Sequence, residues 1–308
     1  MKVYHSLEEF EKLPFAVATT GTFDGVHVGH RVILNRLIQQ AQIHGGESVL
    51  FTFHPHPRTV LQPDFPMKMI TSLEEKIERL EALGLDHLII HPFTKEFART
   101  TSLDFVRNIL VNTIGVKKLV IGYDHHFGRN REGSFEHLKE YGPLYGFDVE
   151  EIPAQEINEV NVSSTKIRNA IAEGNIALAN DYLSTPFPLS GTVITGQKIG
   201  RTLGFPTANI SVDKANKLLP ANGAYAVWVT TKYGRHMGMC NIGNRPTVNG
   251  KDISIEVHLL EFNQELYGEQ IQLAFVERIR EEVKFDHVDD LKAQLEKDRT
   301  RTQSLLAQ

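Results

Sequence analysis

Residues Gly21-Thr22-Phe23-Asp24-Gly25-Val26-His27-Val28-Gly29-His30 decide how this chain is read. The apolar run from Phe15 to Ala18 precedes them and reads as a buried strand. Val32, Ile33, Leu34, Leu37 and Ile38 follow at helical spacing. Two histidines, three apart around a glycine, therefore stand where a strand turns into a helix. A helix start offers backbone N–H groups and the positive end of a dipole, and both favour a phosphate. Glycine lets the backbone approach that phosphate closely. Imidazoles donate hydrogen bonds to it at neutral pH or below. The stretch predicts a site that handles nucleotide phosphates.

Outward from this turn, apolar runs alternate with amphipathic segments. Strands are predicted over 48–53, 87–91, 118–122 and 147–152, and helices over 32–43, 72–83, 102–112 and 134–145. Such alternation implies a parallel sheet covered by helices on both faces. Ligands of these folds bind at the carboxyl ends of the strands. His27, His30, His54, His56 and Asp124 all follow predicted strands, so they are expected to converge there.

The texture changes near residue 185. Thr185-Pro186-Phe187-Pro188 reads as a proline-punctuated linker, which divides the chain into expected domains 1–184 and 185–308. Beyond it, short runs over 189–195, 207–211, 224–231, 236–242, 253–262 and 269–279 are separated by glycine-rich turns. Ile253, Ile255, Val257 and Leu259 alternate with Ser254, Glu256 and His258. Regularly spaced short strands predict a small antiparallel barrel. Residues 288–306 read as one amphipathic helix.

Composition narrows the classes. The chain has 308 residues, 41% apolar and 23% charged, as in an ordinary soluble globular protein of about two domains. Its net charge of −5 and lack of a dense Lys/Arg stretch oppose a nucleic-acid surface. No apolar run is long enough to span a bilayer. Acidic residues near the N-terminus replace the apolar centre of a secretory signal. A single cysteine, Cys240, rules out an intramolecular disulfide and any multi-cysteine zinc site. Together these features point to the cytoplasm. His27/His30 and His125/His126 lack partners at zinc-ligand spacing. Neither a G-x-G-x-x-G after the first strand nor a G-x-x-x-x-G-K-[ST] occurs.

Three further loops accompany the opening turn. Thr52-Phe53-His54-Pro55-His56-Pro57 ends the second strand, with prolines that restrict the backbone around His56. Gly122-Tyr123-Asp124-His125-His126-Phe127-Gly128 mixes aromatic, acidic and basic groups as a binding loop would. Val162-Ser163-Ser164-Thr165-Lys166-Ile167-Arg168 opens a helix. Alone, its hydroxyls would only cap that helix. Beside the other loops they read as phosphate ligands, with Lys166 and Arg168 carrying counter-charge.

In this order and spacing, the four motifs resemble the FMN adenylyltransferase module of bacterial bifunctional riboflavin kinase/FAD synthetases, within the H-x-G-H nucleotidyltransferases. The resemblance covers about the first 180 residues. It implies a doubly wound, Rossmann-like α/β domain. It implies that His27 and His30 contact ATP phosphates, helped by Ser164, Thr165 and Arg168. Gly21, Thr22, Phe23, Asp24 and Gly29 would shape the nucleotide and FMN site. Pro55, His56 and Pro57 would line it, and Asp124 and Phe127 would reach the pocket. His125 stands where many relatives carry an aromatic, and Asn161 where some carry a base.

In the second half, Thr207 and Asn209 lie two apart on a predicted strand and share a face, where a hydroxyl and an amide suit magnesium. Glu256 lies on the polar face of its strand, equally compatible with a solvated barrel exterior and with catalysis. The series G-T-V-I-T-G, GRTLGFPTANI, GAYAV, NIGNRPT and IEVHLLEF resembles riboflavin kinase, the C-terminal module of the same family. The resemblance implies a six-stranded antiparallel barrel with Thr207 and Asn209 at Mg-ATP. Glu256 would be general base on the riboflavin hydroxyl. Gly196, Gly200, Arg201, Gly204, Phe205, Pro206, Asn241 and Arg245 would lie at the substrate site. Ala224 stands where valine is common. The implied substrates are riboflavin, FMN and ATP, with Mg2+ accompanying ATP and neither nucleic acid nor membrane as partner.

Overall fold

The computed structural model describes the chain except residues 155, 157–161, 197–199, 201–202, 214, 248–249 and 308; of the others within 245–252 only the backbone is described. Two compact units result. The first comprises Met1–Met67 and Leu73–Ser163, the second Lys68–Ser72 and Ser164–Gln308.

The first unit is built on a fully parallel sheet. Its strands are β1 (Lys2–Tyr4), β2 (Ala16–Thr20), β3 (Glu47–His54), β4 (His87–Pro92), β5 (Val116–Gly122) and β6 (Asp148–Ile152), ordered β1-β4-β3-β2-β5-β6. Their side chains alternate between two cores, as the two-residue strand period requires. Ala16, Ala18, Val49, Phe51, Ile89, Leu119 and Ile121 face one core with Phe105, Leu110 and Leu138. Val17, Leu50, Leu88, Ile90 and Val120 face the other with Leu34, Leu37 and Leu80. Leu34, Leu50 and Leu88 are fully buried, each stabilising the fold by about 1.5–3 kcal/mol. Burial on both faces explains why these strands read as near-continuous apolar runs.

Helix α1 (Val28–His44) and the Leu73–Ala82 helix cover one face; Phe105–Ile114 and Phe135–Tyr145 cover the other. The segment expected as one helix over 102–112 is a single turn, Ser102–Asp104, running into a π-helical Phe105–Ile114. The three-residue strand β1 is too short to show a period and was not expected. Strand order proceeds one way from β2 through β3 to β4 and the other way through β5 to β6. The reversal lies between β2 and β5, the topological switch point where such sheets bind ligands.

The second unit is a closed six-stranded barrel. Its strands are β7 (Phe187–Ile194), β8 (Ala208–Ser211), β9 (Gly223–Thr231), β10 (Gly234–Thr247), β11 (Gly250–Leu259) and β12 (Gln270–Glu281). All pair antiparallel, around β10-β11-β8-β7-β12-β9. The linker reading of 185–188 is corrected: Phe187 and Pro188 open β7, and Phe187 is fully buried. Pro188 is tolerated because it pairs with Ala274 of β12, while β8 pairs only with Thr192–Ile194. Helices Ser164–Glu173 and Ile176–Leu183 belong to this unit. Asn180 clips the second of them to the barrel. Its Nδ2 donates to the carbonyls of Phe275 (2.9 Å) and Val276 (3.1 Å), and its Oδ1 accepts from Phe187 N–H (2.8 Å).

The expected terminal helix spans Val288–Leu306. Asp298, 2% exposed, anchors it to β12 through Arg280 at 2.8 Å, and Gln294 of the same helix donates to its carboxylate at 2.8 Å.

Candidate active sites

The loop after β2 is strained. Phe23 has φ 47°, Val26 φ 45°, and Gly25 between them φ 85°. Left-handed backbone is a genuine outlier for a bulky or β-branched residue and persists only where the surroundings impose it. Here Phe23 and Val26 are both buried in the core beneath α1. Three cationic side chains also hold the loop's carbonyls. Lys76 Nζ donates to Thr22 O at 3.2 Å, Arg79 Nη1 to Gly25 O at 3.0 Å, and Arg31 Nε to Val26 O at 3.4 Å.

His27 is the N-cap of α1: its Nδ1 accepts from His30 N–H at 3.3 Å. In the neutral ring this places the proton on Nε2. The two imidazoles stack with centroids 3.6 Å apart, and His30 also meets Phe23 at 4.8 Å. His30 Nδ1 is buried without a hydrogen-bond partner among the described residues. Burial, then His27 and Lys76, hold His30 well below the usual imidazole range. At neutral pH it is therefore a neutral N–H donor, not a cation, which narrows the expectation from sequence.

The other loops meet this one at the carboxyl edge. Thr52, fully buried near the end of β3, donates to Thr22 O at 3.3 Å. His56 caps the short Pro57–Leu61 helix, its Nδ1 accepting from Arg58 N–H at 3.1 Å. Pro55 and Pro57 flank it. From the loop after β5, His125 Nε2 pairs with Thr20 Oγ1 at 3.2 Å, across the switch point. Burial, aided by His126 and Arg131, pushes His125 down to about 4. The residue that departs from the family pattern is thus a neutral bridge between β2 and the β5 loop. Asp124 is exposed on that loop. Phe127 is 7% exposed and packs on Phe105, so its ring secures the loop from below. Asp24 is buried beside Lys76, whose charge it favours. Thr22 is half-buried, and Gly29 is buried in the first turn of α1.

Ser164 and Thr165 open a helix of the second unit, where Arg168 Nε donates to Lys68 O at 2.9 Å. Asn161 lies outside the described residues.

In the barrel, register assembles the site. Asn209 of β8 pairs with Glu256 of β11, which pairs with Asn241 of β10. Directly paired residues share a face, so the three polar side chains stand in one row. Thr207, just before β8, donates its hydroxyl to Glu256 Oε2 at 3.1 Å. Ile255, Val257 and Leu259 are buried on the opposite face. A Cβ on Gly196 would lie 2.0 Å from Asn209 Nδ2, and one on Gly200 would lie 2.3 Å from Phe205 O. Both close approaches need glycine.

Phe205 is buried with Met239 and Leu260 and anchors the G-F-P-T segment. His258 Nδ1 donates to Pro206 O at 2.7 Å. A cleft of about 350 Å³ adjoins Thr207, lined also by Pro206, Ala208, Phe262, Leu266 and Tyr267. Gly204 turns the chain before Phe205 with φ 84°. Arg201 and the side chain of Arg245 lie outside what is described.

Sequence reasoning missed Lys76, Arg79, Thr52 and Thr20. Lys76 and Arg79 occur in a charge-rich helix, Leu73–Ala82, where they read as solvated. Their spacing of three, which puts both on one helix face, was the available signal.

Comparison with known proteins places both halves. The FAD synthetase family matches residues 10–166 and the riboflavin kinase family residues 183–306. The bifunctional riboflavin kinase/FMN adenylyltransferase of Escherichia coli K12 is 38% identical over 301 residues, 97% of this chain and 96% of that protein. Its counterpart from Haemophilus influenzae is 39% identical over 281 residues, 91% of each. A solved structure from Streptococcus pneumoniae, described as a macrolide-efflux protein, aligns with a TM-score of 0.88 at 31% identity over 98% of each chain. That description concerns the neighbour. In this chain, among the described residues, no helix is long and apolar enough to cross a membrane.

Proposed function

The chain belongs to the family of bifunctional riboflavin kinases/FMN adenylyltransferases, and from that premise we propose how its two units divide the synthesis of FAD. The barrel phosphorylates riboflavin. Glu256 accepts the proton of the flavin's primary hydroxyl as its oxygen bonds to the γ-phosphorus of ATP and the bond to the β-phosphate oxygen breaks. FMN and ADP result. Thr207 holds Glu256 toward the reacting edge, and Asn241 flanks it. The cleft beside Thr207 takes the nucleoside.

Thr207 and Asn209 present a hydroxyl and an amide oxygen, both hard donors that suit magnesium. Glycine at 196 lets the Asn209 amide occupy a place where a Cβ would lie 2.0 Å from it, so the amide is held close to the 196 backbone. The ion would neutralise charge on the ATP phosphates. Arg201, Gly200, Gly204 and Arg245 are assigned to substrate binding on the motif alone.

The parallel-sheet unit adenylylates FMN. An FMN phosphate oxygen attacks the α-phosphorus of a second ATP, the bond to the β-phosphate oxygen breaks, and pyrophosphate leaves. The nucleophile is already an anion, so no base is required. What the reaction needs is fixed donors for charge that moves onto pyrophosphate. His27 and His30 supply these donors, with Gly21–Asp24 and Gly29 shaping the approach. Pro55, His56, Pro57, Asp124 and Phe127 define the flavin side. Ser164, Thr165 and Arg168 are assigned to the triphosphate on their motif alone. The module boundary at 184/185 belongs to this proposal, although the compact unit holding the barrel begins earlier. The lone cysteine and the use of ATP suit a cytoplasmic enzyme.

The observation that carries the reading is the paired row Asn209, Glu256 and Asn241, with Thr207 bonded to the carboxylate. It supports a base beside oxygen donors in the half that must activate an alcohol. Incubating the pure protein with riboflavin, ATP and magnesium tests the scheme by chromatography. FMN should appear first, then FAD with pyrophosphate. FMN without FAD removes the adenylyl assignment, and absence of both products removes the whole scheme.

A further inference from the structure

Lys76 stands out among the charged side chains beneath the H-x-G-H turn. It is a buried ammonium, 8% exposed, beside the buried Glu75 (2% exposed) on a helix whose Glu74 and Glu78 are exposed. Its Nζ reaches Thr22 O at 3.2 Å and Thr52 Oγ1 at 3.4 Å, while Thr52 itself donates to the same Thr22 carbonyl at 3.3 Å. One turn further along, Arg79 holds Gly25 O. A peptide plane is rigid, so pinning a carbonyl also fixes the N–H across that plane. Lys76 and Arg79 thereby orient the N–H groups of Phe23 and Val26 within the strained turn.

The surroundings of Lys76 are electrostatically mixed. Asp24 from the loop favours its charge, while His30 of α1 and His54 at the end of β3 both feel that charge and are held neutral by it in part. On its own helix, Glu74 acts on His54 in the opposite sense.

We propose that Lys76 is a positioning residue for adenylyl transfer, fixing the backbone of the H-x-G-H turn. The proposal rests on assigning that turn to adenylyl transfer, which His30→Ala tests separately. Lys76 does its work through the Thr22 carbonyl and touches no reacting atom in this scheme. Burial brings its ammonium down to about 8. Its charge is then lost within the ordinary alkaline range of an assay, which gives the proposal a readout that packing alone would not move.

The test uses the full chain with FMN, ATP and magnesium, following FAD formation from pH 6 to 9.5. Riboflavin phosphorylation by the same preparations corrects for changes in Mg-ATP. In the native protein, kcat/KM for FAD formation should fall above pH about 8. Lys76→Arg keeps the charge and should move that alkaline limb upward by at least about one pH unit, with the neutral rate within roughly fivefold. Lys76→Met should lose on the order of a hundredfold in kcat at pH 7, with a much smaller change in KM for ATP. An alkaline limb identical in the native protein and Lys76→Arg overturns the proposal. So does a Lys76→Met protein with native kcat. Circular dichroism checks the fold of each variant. If Lys76→Met does not fold, the native and Lys76→Arg profiles decide the matter alone.

Discussion

In the parallel sheet, the groups at the ligand edge come from loops that leave β2, β3 and β5. In the barrel, Asn209, Glu256 and Asn241 stand on three adjacent strands at one register level. The first arrangement stores strain in backbone and clamps it with cations, of which Lys76 is buried. The second uses relaxed strands and lets pairing align the side chains. The difference follows the two nucleophiles. FMN already carries a phosphate anion, so its unit must supply well-placed donors, and a bent loop with a helix start supplies many of them. Riboflavin offers a neutral alcohol, so the proposed scheme gives its unit a carboxylate, Glu256, which Thr207 bonds and Asn209 and Asn241 flank.

The sharpest way to break this contrast is Glu256→Gln, which keeps shape and removes the base. FMN formation from riboflavin should fall by about a thousandfold, while FAD formation from supplied FMN persists. Initial rates with each flavin measured separately decide it; equal loss in both reactions would erase the contrast. His30→Ala is the reciprocal change. FAD formation should drop by about a hundredfold or more with FMN formation retained, because a single fixed donor is lost from a site with no base.

A subtler substitution probes the barrel's geometry. In Gly196→Ala, the new methyl would lie 2.0 Å from Asn209 Nδ2 and must displace that side chain. Phosphorylation should slow on the order of tenfold to a hundredfold, with adenylylation of FMN unchanged.

Much of this was legible in the sequence for an identifiable reason. Strands buried on both faces announce themselves as apolar runs, and Ile253 to Leu259 announced a half-polar strand by alternation. The strand-to-helix turn at H-x-G-H was legible because an apolar run precedes it and helical spacing follows it. Three things were not legible. The prolines at 186 and 188 suggested a linker because one-dimensional pattern cannot show that β8 stops short of Pro188. The charge state of His30 depends on burial by residues distant in sequence. Lys76 looked solvated because nothing local shows a carbonyl of residue 22 waiting above it.

The smallest expected effect concerns stability. His125 is held down to about 4 in the folded protein, chiefly by burial. An unfolded histidine titrates near 6.5. As the pH falls below about 6.5, the unfolded chain takes up the proton first, so stability is lost progressively until the folded value near 4 is passed. Thermal unfolding should therefore shift down by roughly a few degrees between pH 7 and 5. His125→Phe removes this titration and should flatten the profile. His30, lowered in the same direction, leaves a residual slope.

The short piece Lys68–Ser72 has a consequence for synthesis. It lies in the first half of the chain but is built into the second unit, where Met69 bridges Lys217 and Ile70 O accepts from Lys217 Nζ at 2.7 Å. Those partners are 147 residues apart. At ribosomal rates that gap takes about 7–30 s to translate. Throughout that interval the nascent parallel-sheet unit carries Ile70 with its final partner not yet made. A chain halted before residue 217 would keep an apolar stub beside the helix that bears Lys76. The order of assembly is therefore written into the chain: the second unit is complete only when residues made last meet a segment made early.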